Sequence, residues 1–237
     1  MDRLSRGTSW IQLMAPLFSD LFMLDERARP GSAAWNMALD EALLAESGHP
    51  VLRFYRWETA AVSFGYFLPC EAAMALGRGR EIVRRWTGGG MVEHGEDFTW
   101  SLIVPSGESF SLTRPGESYV MVHAVLAEAL GKAGISVQQV PPTAPVPAGG
   151  LCFTAPAPGD LLLEGRKIAG AGQRRCRHGL LHQGSLCGIR LPEDFPRTLA
   201  ECMAKNVYPF PLAQLPAAAA EELVRSRYGT DSWQQRR

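Results

Sequence analysis

Glycine and proline set the size of every structural element this chain can form. The 237 residues include 24 glycines and 17 prolines, too few for a disordered chain but enough to cut it into short runs. After Pro30-Gly31, Ser32 can cap a helix whose apolar face is Trp35, Ala38, Leu39, Ala42 and Leu43, stopped by Gly48 and Pro50. Aromatic and branched residues at Val51 to Trp57 and Ala61 to Phe64 read as strands, as do Glu81 to Trp86 and Phe98 to Val104. In the last of these, Phe98, Trp100, Leu102 and Val104 share one face. Gly116 to Gly131 is amphipathic at helical spacing, through Tyr119, Val122, Val125, Leu126, Ala129 and Leu130. Pro141 to Pro158, with six prolines, reads as loop. Leu161 to Ile168 reads as a hairpin turning at Gly165, and another strand follows at Gly179 to Leu186. The tail from Glu193 is expected to be mostly helical. Hairpins interleaved with helices predict an α+β single domain, not a doubly wound parallel sheet.

Charge and cysteine content narrow the class. Twenty-four basic and 24 acidic side chains cancel, which argues against a nucleic-acid binder that works by bulk phosphate neutralisation. A small basic pocket is still allowed. A chain this long buries roughly 70–75% of its unfolded surface, so its core needs neither disulfides nor a structural metal. Five scattered cysteines, an odd number, read as a reduced intracellular protein. Arg3 and Arg6 precede an apolar stretch from Trp10 to Phe18, but Gln12 and Pro16 interrupt it and Ser19-Asp20 closes it without a small-x-small cleavage site. Residues 1–20 are therefore read as an N-terminal extension and 21–237 as the domain. No run approaches the roughly 18 consecutive apolar residues of a spanning helix. The expected location is cytoplasmic, with neither membrane nor nucleic acid as partner.

Three segments place glycines beside a cation or a thiol. In Arg84-Arg85-Trp86-Thr87-Gly88-Gly89-Gly90-Met91-Val92-Glu93-His94, a glycine triplet directly after a strand lets backbone N–H groups turn towards an anion or approach a flat ligand. The two arginines add charge, and an ordinary glycine-rich turn with solvated arginines is the competing interpretation. In Gly165-Arg166-Lys167-Ile168-Ala169-Gly170-Ala171-Gly172-Gln173-Arg174-Arg175, small residues after Lys167 leave it open to a ligand oxygen. A basic edge strand blunted by its lysine fits the same letters. Cys152, in Gly149-Gly150-Leu151-Cys152-Phe153, is a loop thiol near glycines, suited to nucleophilic attack if Lys167 lowers its pKa; a small buried hydrophobe is the plainer alternative. Cys70, Cys176, Cys187 and Cys202 are read as buried hydrophobes outright. No phosphate-loop, dinucleotide-binding or serine-elbow pattern is present. Cys176, His178, His182 and Cys187 lack a C-x-x-C knuckle and lie in a strand-like run, so no metal site is expected.

Taken together, these segments resemble the lipoate–protein ligase A and octanoyltransferase family. Arg84-Arg85-x-Thr87-Gly88-Gly89-Gly90-x-Val92-x-His94 resembles its glycine signature, and Gly165-Arg166-Lys167-Ile168-Ala169-Gly170 with Gln173-Arg174-Arg175 its lysine motif. His182-Gln183-Gly184-Ser185, Asn36-Met37-Ala38-Leu39-Asp40-Glu41, Leu52 to Trp57 and Ser63-Phe64-Gly65-Tyr66 match further family segments, in order from about Leu21 to about Leu191. The resemblance implies a mixed, largely antiparallel sheet flanked by helices, the catalytic domain type of biotin and lipoate ligases, related to class II synthetase cores. It also implies a site built from Arg84, Arg85, Thr87, Gly88, Gly89, Gly90, His94, Gly170, His182 and Gly184 around the substrate, with Cys152 and Lys167 catalytic.

Two chemistries run on that scaffold. Ligases use ATP and magnesium to make a lipoyl-adenylate; octanoyltransferases need no cofactor and take octanoate from acyl carrier protein through an acyl-cysteine. Cys152-Phe153-x-x-Pro156, with Asp160 and then Lys167, resembles the cysteine-dependent octanoyltransferase type, as does His94-Gly95-Glu96-Asp97-Phe98-Thr99-Trp100-Ser101. The large C-terminal accessory domain of many ligases is not expected, since only a short tail follows the last motif. Family acceptors are a lysine of the glycine cleavage H protein or of a dehydrogenase E2 lipoyl domain. In the implied mechanism the Cys152 thiolate attacks the octanoyl thioester, Lys167 and the glycine backbone stabilise the oxyanion, and His94 or a water takes the amine proton. An ATP-dependent ligase, a biotin ligase and a catalytically idle carrier-binding module are the alternatives.

Overall fold

The computed structural model describes residues 15–144 and 156–236. In chain order the elements are β1 (Phe18–Asp25), α1 (Ala33–Glu46), β2 (Val51–Tyr55), β3 (Ala61–Phe64), α2 (Cys70–Leu76), β4 (Glu81–Arg84), β5 (Met91–His94), β6 (Phe98–Pro105) and α3 (Pro115–Lys132). Then follow β7 (Gln138–Gln139), β8 (Leu161–Leu163), β9 (Arg166–Cys176), β10 (Gly179–Leu186), α4 (Phe195–Met203), β11 (Ala204–Pro209), α5 (Ala217–Leu223) and α6 (Asp231–Gln234). Eight strands make one sheet in the order β11-β1-β2-β6-β10-β9-β8-β7, and β4-β3-β5 make a small second sheet. Pairing in the large sheet is antiparallel from β2 to β7 and parallel at β11/β1 and β1/β2. This is the α+β arrangement with a mixed, largely antiparallel sheet that the sequence predicts.

Both faces of the large sheet are covered, and strand alternation decides which residue goes where. Leu52, Phe54, Trp100, Leu102, Val104 and Leu180 pack with Val122, Leu126 and Leu130 of α3 and with Phe195 and Leu199 of α4. Their neighbours Val51, Tyr55, Ile103 and Leu181 pack with Leu39, Ala42 and Leu43 of α1 and with Ala220 of α5. Ser32 caps α1 as expected, its Oγ accepting from the Trp35 N–H at 3.2 Å. The β8–β9 hairpin closes through Glu164 and Gly165 at φ 51° and 77°, the two positive-φ residues of a type I′ turn.

The tail from Glu193 is mostly helical, as expected, with one exception. Ala204–Pro209 forms β11, which runs parallel to β1 with Phe18 opposite Ala204 and Met23 opposite Pro209. As an edge strand it pairs with one neighbour, and Lys205, Asn206, Tyr208 and Pro209 are exposed, so it carries little of the apolar alternation by which strands are recognised. At the other end, β1 starts at Phe18, inside the stretch read as an extension. Among the described residues no helix is long and apolar enough to cross a membrane.

Candidate active site

A cavity lies where the small sheet leans on the large one. It is lined by Met37 of α1, Ser63 of β3, Arg85, His94 of β5, the Gly170-Ala171-Gly172 stretch of β9 and Gln183 to Ser185 of β10. The two glycine segments meet here. Gly88 N–H donates to the Gln173 carbonyl at 3.2 Å, and a Cβ on Gly172 would stand 2.4 Å from the Gly88 oxygen, so β9 admits the glycine loop only where it has no side chain. Arg85 fixes the loop from beneath, its guanidinium donating to the carbonyls of Gly88 (3.2 Å) and Gly90 (2.8 Å) and to Ser63 Oγ (2.7 Å).

A buried carboxylate ties this cavity to α1. Asp40 is fully buried, and it accepts from Arg53 Nη1 (2.8 Å), Ser101 Oγ (2.5 Å) and Gln183 Nε2 (2.7 Å). Gln183 in turn accepts from Thr87 Oγ1 at 2.7 Å. One carboxylate therefore links helix α1, strands β2, β6 and β10, and the threonine that begins the glycine loop. Arg53 also reaches Glu26 (2.6 Å) and the Asn36 side chain (2.9 Å), so the buried charges are paired as burial requires.

Lys167 is seated by β9 geometry. The β8–β9 register shifts beside it: Leu161 opposes Ala169 while Leu162 opposes Lys167. This is a bulge of one extra residue, which re-aims the side chains around it. Lys167 and Gly170, three apart, thereby come together, and a Cβ on Gly170 would lie 2.9 Å from Lys167 Cε. The ammonium is 2.7 Å from Asp160 Oδ2, with both side chains almost wholly buried. Asp160 further accepts from Tyr119 Oη (2.6 Å) and from the Ala157 N–H (2.6 Å). The Tyr119 oxygen accepts from the Ala171 N–H at 3.0 Å, which joins the lysine clamp to the glycine strand.

At the opposite wall, His94 is held on three sides. Its ring stacks on Trp57 with centroids 3.9 Å apart. Nε2 lies 2.6 Å from Ser63 Oγ, and Nδ1 lies 2.8 Å from Asp97 Oδ2. Asp97 also accepts from Thr99 Oγ1 (2.8 Å), Ser185 Oγ (2.6 Å) and the Gly95 N–H (3.1 Å). Burial alone would raise its carboxyl pKa, but His94 and the donors from Ser185 and Gly95 hold it below the ordinary value.

Two residues read from the sequence as substrate-binding, Arg84 and His182, sit elsewhere. Arg84 points away from the cavity, and its guanidinium donates to the carbonyls of Tyr66, Leu68, Trp233, Gln234 and Arg236. It is a clasp on the C-terminal segment, because Arg84 and Arg85 are consecutive at the end of β4 and their side chains diverge. His182 faces the α3 side of the sheet, stacked on Trp100 and near Tyr119 and His123. Burial drives its imidazole well below the usual value, as it drives His123 down to about 4. Gly184 borders the cavity by its backbone, and on the other face the Trp100 indole fills the place of its side chain, 2.4 Å from where a Cβ would stand. Thr87, Gly88, Gly89, Gly90, His94 and Gly170 are all at or beside the cavity. Cys152 lies outside the described residues. Sequence reasoning passed over Asp40, Ser63, Asp97 and Gln183 as site residues; the available signal was a polar residue inside an apolar run, as in Ser63 between Val62 and Phe64.

Comparison with known proteins agrees with this geometry. Residues 32–207 match the lipoyl protein ligase A/B catalytic domain, and the chain belongs to that family. The octanoyltransferase LipM of Brevibacillus brevis is 29% identical over 264 residues, covering 87% of this chain and 96% of that protein. That of Geobacillus kaustophilus is 30% identical over 258 residues, 84% of this chain and 93% of the relative. That of Staphylococcus aureus is 35% identical over 167 residues, 64% of this chain and 60% of the relative. Among solved structures, lipoate-protein ligase A bound with ATP superposes with a TM-score of 0.71 at 20% identity, covering 92% of this chain and 98% of that one. A bi-partite lipoate protein ligase of Thermoplasma acidophilum, described with its E2 lipoyl domain, gives 0.59 at 20% identity over 92% and 96%. These structures share the fold.

Proposed function

We propose that this protein is an acyltransferase of protein lipoylation, moving an octanoyl group from acyl carrier protein to one lysine of a lipoyl-carrier domain through a thioester on Cys152. The observation that carries the reading is the seating of Lys167. Its ammonium is held against Gly170 by Asp160, and the same Asp160 oxygen binds the backbone of Ala157, five residues beyond Cys152. Ala157 is thus anchored on the carboxylate that positions the cation. A cation beside a thiol favours the thiolate, the form that attacks. Gly170, Ala171 and Gly172 offer almost no side-chain bulk, and Met37, Trp57 and Val92 add apolar surface to the cavity beside its polar groups, as an acyl chain with a polar head requires.

In the first half-reaction the Cys152 sulfur bonds to the octanoyl carbonyl carbon and the carrier's thiolate leaves. In the second, the acceptor lysine nitrogen bonds to the same carbon, the C–S bond breaks and the amide remains. The acceptor is a glycine cleavage H protein or an E2 lipoyl domain. The test is incubation with octanoyl carrier protein without ATP, followed by mass spectrometry of Cys152. An octanoyl adduct that discharges onto an acceptor domain is the expected result. No adduct, together with lipoylation by Cys152→Ala protein that requires ATP and magnesium, would establish a ligase instead. Tight acceptor binding with neither transfer would establish an idle carrier-binding module.

A further inference from the structure

Amide formation in the second half-reaction releases protons. An acceptor lysine enters as an ammonium and ends as an amide N–H, so two protons leave its nitrogen while one returns to the Cys152 sulfur. The net proton must leave the cavity, and the hydrogen bonds at its wall define a direction for it. Ser63 Oγ accepts from Arg85 Nη1 at 2.7 Å, so its single proton is directed to His94 Nε2, 2.6 Å away. Nε2 is then the acceptor nitrogen of His94, and Nδ1 carries the ring proton, donated to Asp97 at 2.8 Å. Asp97 is held as a carboxylate, which fixes this tautomer. One lone pair of Ser63 Oγ remains for a further donor.

The chain of groups also joins two spaces. Ser63, Arg85 and His94 line the inner cavity beside Gly170 and Ala171. Asp97 borders a separate, open cleft on the outside, along with Arg27, Arg56 and Glu96. The positive Arg85 sits at the inner end and the negative Asp97 at the outer end, so the field along the chain favours outward movement of a proton.

We propose that Ser63 and His94 form the proton-accepting relay of the second half-reaction, with Asp97 as the positioning residue that sets the His94 tautomer. The acceptor ammonium first gives one proton to bulk water. As the resulting amine nitrogen bonds to the acyl carbon, its second proton passes to Ser63 Oγ while the Ser63 hydroxyl proton passes to His94 Nε2; the C–S bond breaks and the Cys152 thiolate leaves, to take one proton back from water. The imidazolium, stabilised by Asp97, then loses the proton towards the outer cleft. This assignment rests on the octanoyl-cysteine reading above.

The two half-reactions separate the relay from a structural role, because acylation of Cys152 consumes no amine. Single-turnover measurements on the full chain would follow adduct formation and adduct discharge in the parent, Asp97→Asn and Ser63→Ala. Discharge onto an acceptor lysine is expected to slow by about 10²-fold or more in both variants. Adduct formation should stay within a few-fold of the parent. Discharge by hydroxylamine, an amine that is uncharged at neutral pH and needs no base for its attack, should also stay within a few-fold. Parent-like discharge onto lysine in both variants would overturn the relay, as would equal losses in formation, lysine discharge and hydroxylamine discharge, which mark a structural network. If Asp97→Asn fails to fold, Ser63→Ala alone decides between these outcomes. A parent that forms no adduct on Cys152 would overturn the octanoyl-cysteine reading, and the relay with it.

Discussion

Replacing Asp160 with asparagine tests whether Lys167 depends on one buried carboxylate. The carboxyl is fully buried; Oδ2 faces the Lys167 ammonium at 2.7 Å and the Ala157 N–H at 2.6 Å, and Oδ1 faces Tyr119 Oη at 2.6 Å. An asparagine can keep its oxygen towards Tyr119, but its NH₂ then meets two donors, one of them charged. Removing one member of a buried pair leaves the other uncompensated, at a cost of about 3–5 kcal/mol. For a domain of this size that is a fall in Tm of about 6–20 °C. Lys167→Met in the same background removes the cation that Asp160 faces, so the double variant should be more stable than the two single losses added together, by about 2 kcal/mol or more. Urea unfolding of the parent, both single variants and the double variant measures this directly. A loss under about 1 kcal/mol for Asp160→Asn, or strict additivity across the cycle, would refute the buried-pair account.

Three further outcomes are expected. Gly170→Ala places a methyl 2.9 Å from Lys167 Cε; it should slow adduct formation on Cys152 at least about tenfold while Tm moves by only a few degrees, since the displaced group is a side-chain end. His123 and His182 are neutral in the fold, the former lowered from 6.5 to about 4 and the latter well below 6.5, both chiefly by burial. The unfolded chain therefore binds their protons first as pH falls below 6.5, and stability should drop by about 1.4 kcal/mol per pH unit per histidine towards pH 4; urea midpoints between pH 7 and 5 measure the slope, and His182→Phe should remove about half of it. Arg84→Met strips the donors from five backbone carbonyls, so stability should fall by about 2–4 kcal/mol and hydrogen exchange should show protection lost first in α6.

How much was legible in advance depends on how local each signal is. The cap at Ser32, the Gly165 turn and the shared face of Phe98 to Val104 are all decided within a few residues, and each appears as read. The glycine triplet and the lysine motif could be placed together only through the family resemblance, since each run of small residues also fits an ordinary turn or a basic edge strand. Arg84 and Arg85 are identical letters in sequence, and only the meeting of β4 with residues 233–236, about 150 positions later, separates a clasp from a cavity wall. Ser63 and His94 become neighbours because β3 and β5 are antiparallel, a pairing across 31 positions that no local period encodes. Strand β11 escaped notice for a related reason: its partner β1 lies at the other end of the chain, and its own side chains mostly face water.

The carboxylate of Asp40 carries a practical lesson for anyone wishing to retune this protein for longer or shorter acyl chains. Four elements and the glycine loop share its hydrogen bonds, so Asp40, Arg53, Ser101 and Gln183 behave as one unit that a library should leave untouched. Met37 is one turn away on the same helix and lines the cavity, as does Val92 on the facing strand. Met37 Sδ accepts from Gln183 Nε2 at 3.4 Å and so belongs to the edge of that framework, which leaves Val92 as the position where a redesign of chain length should begin.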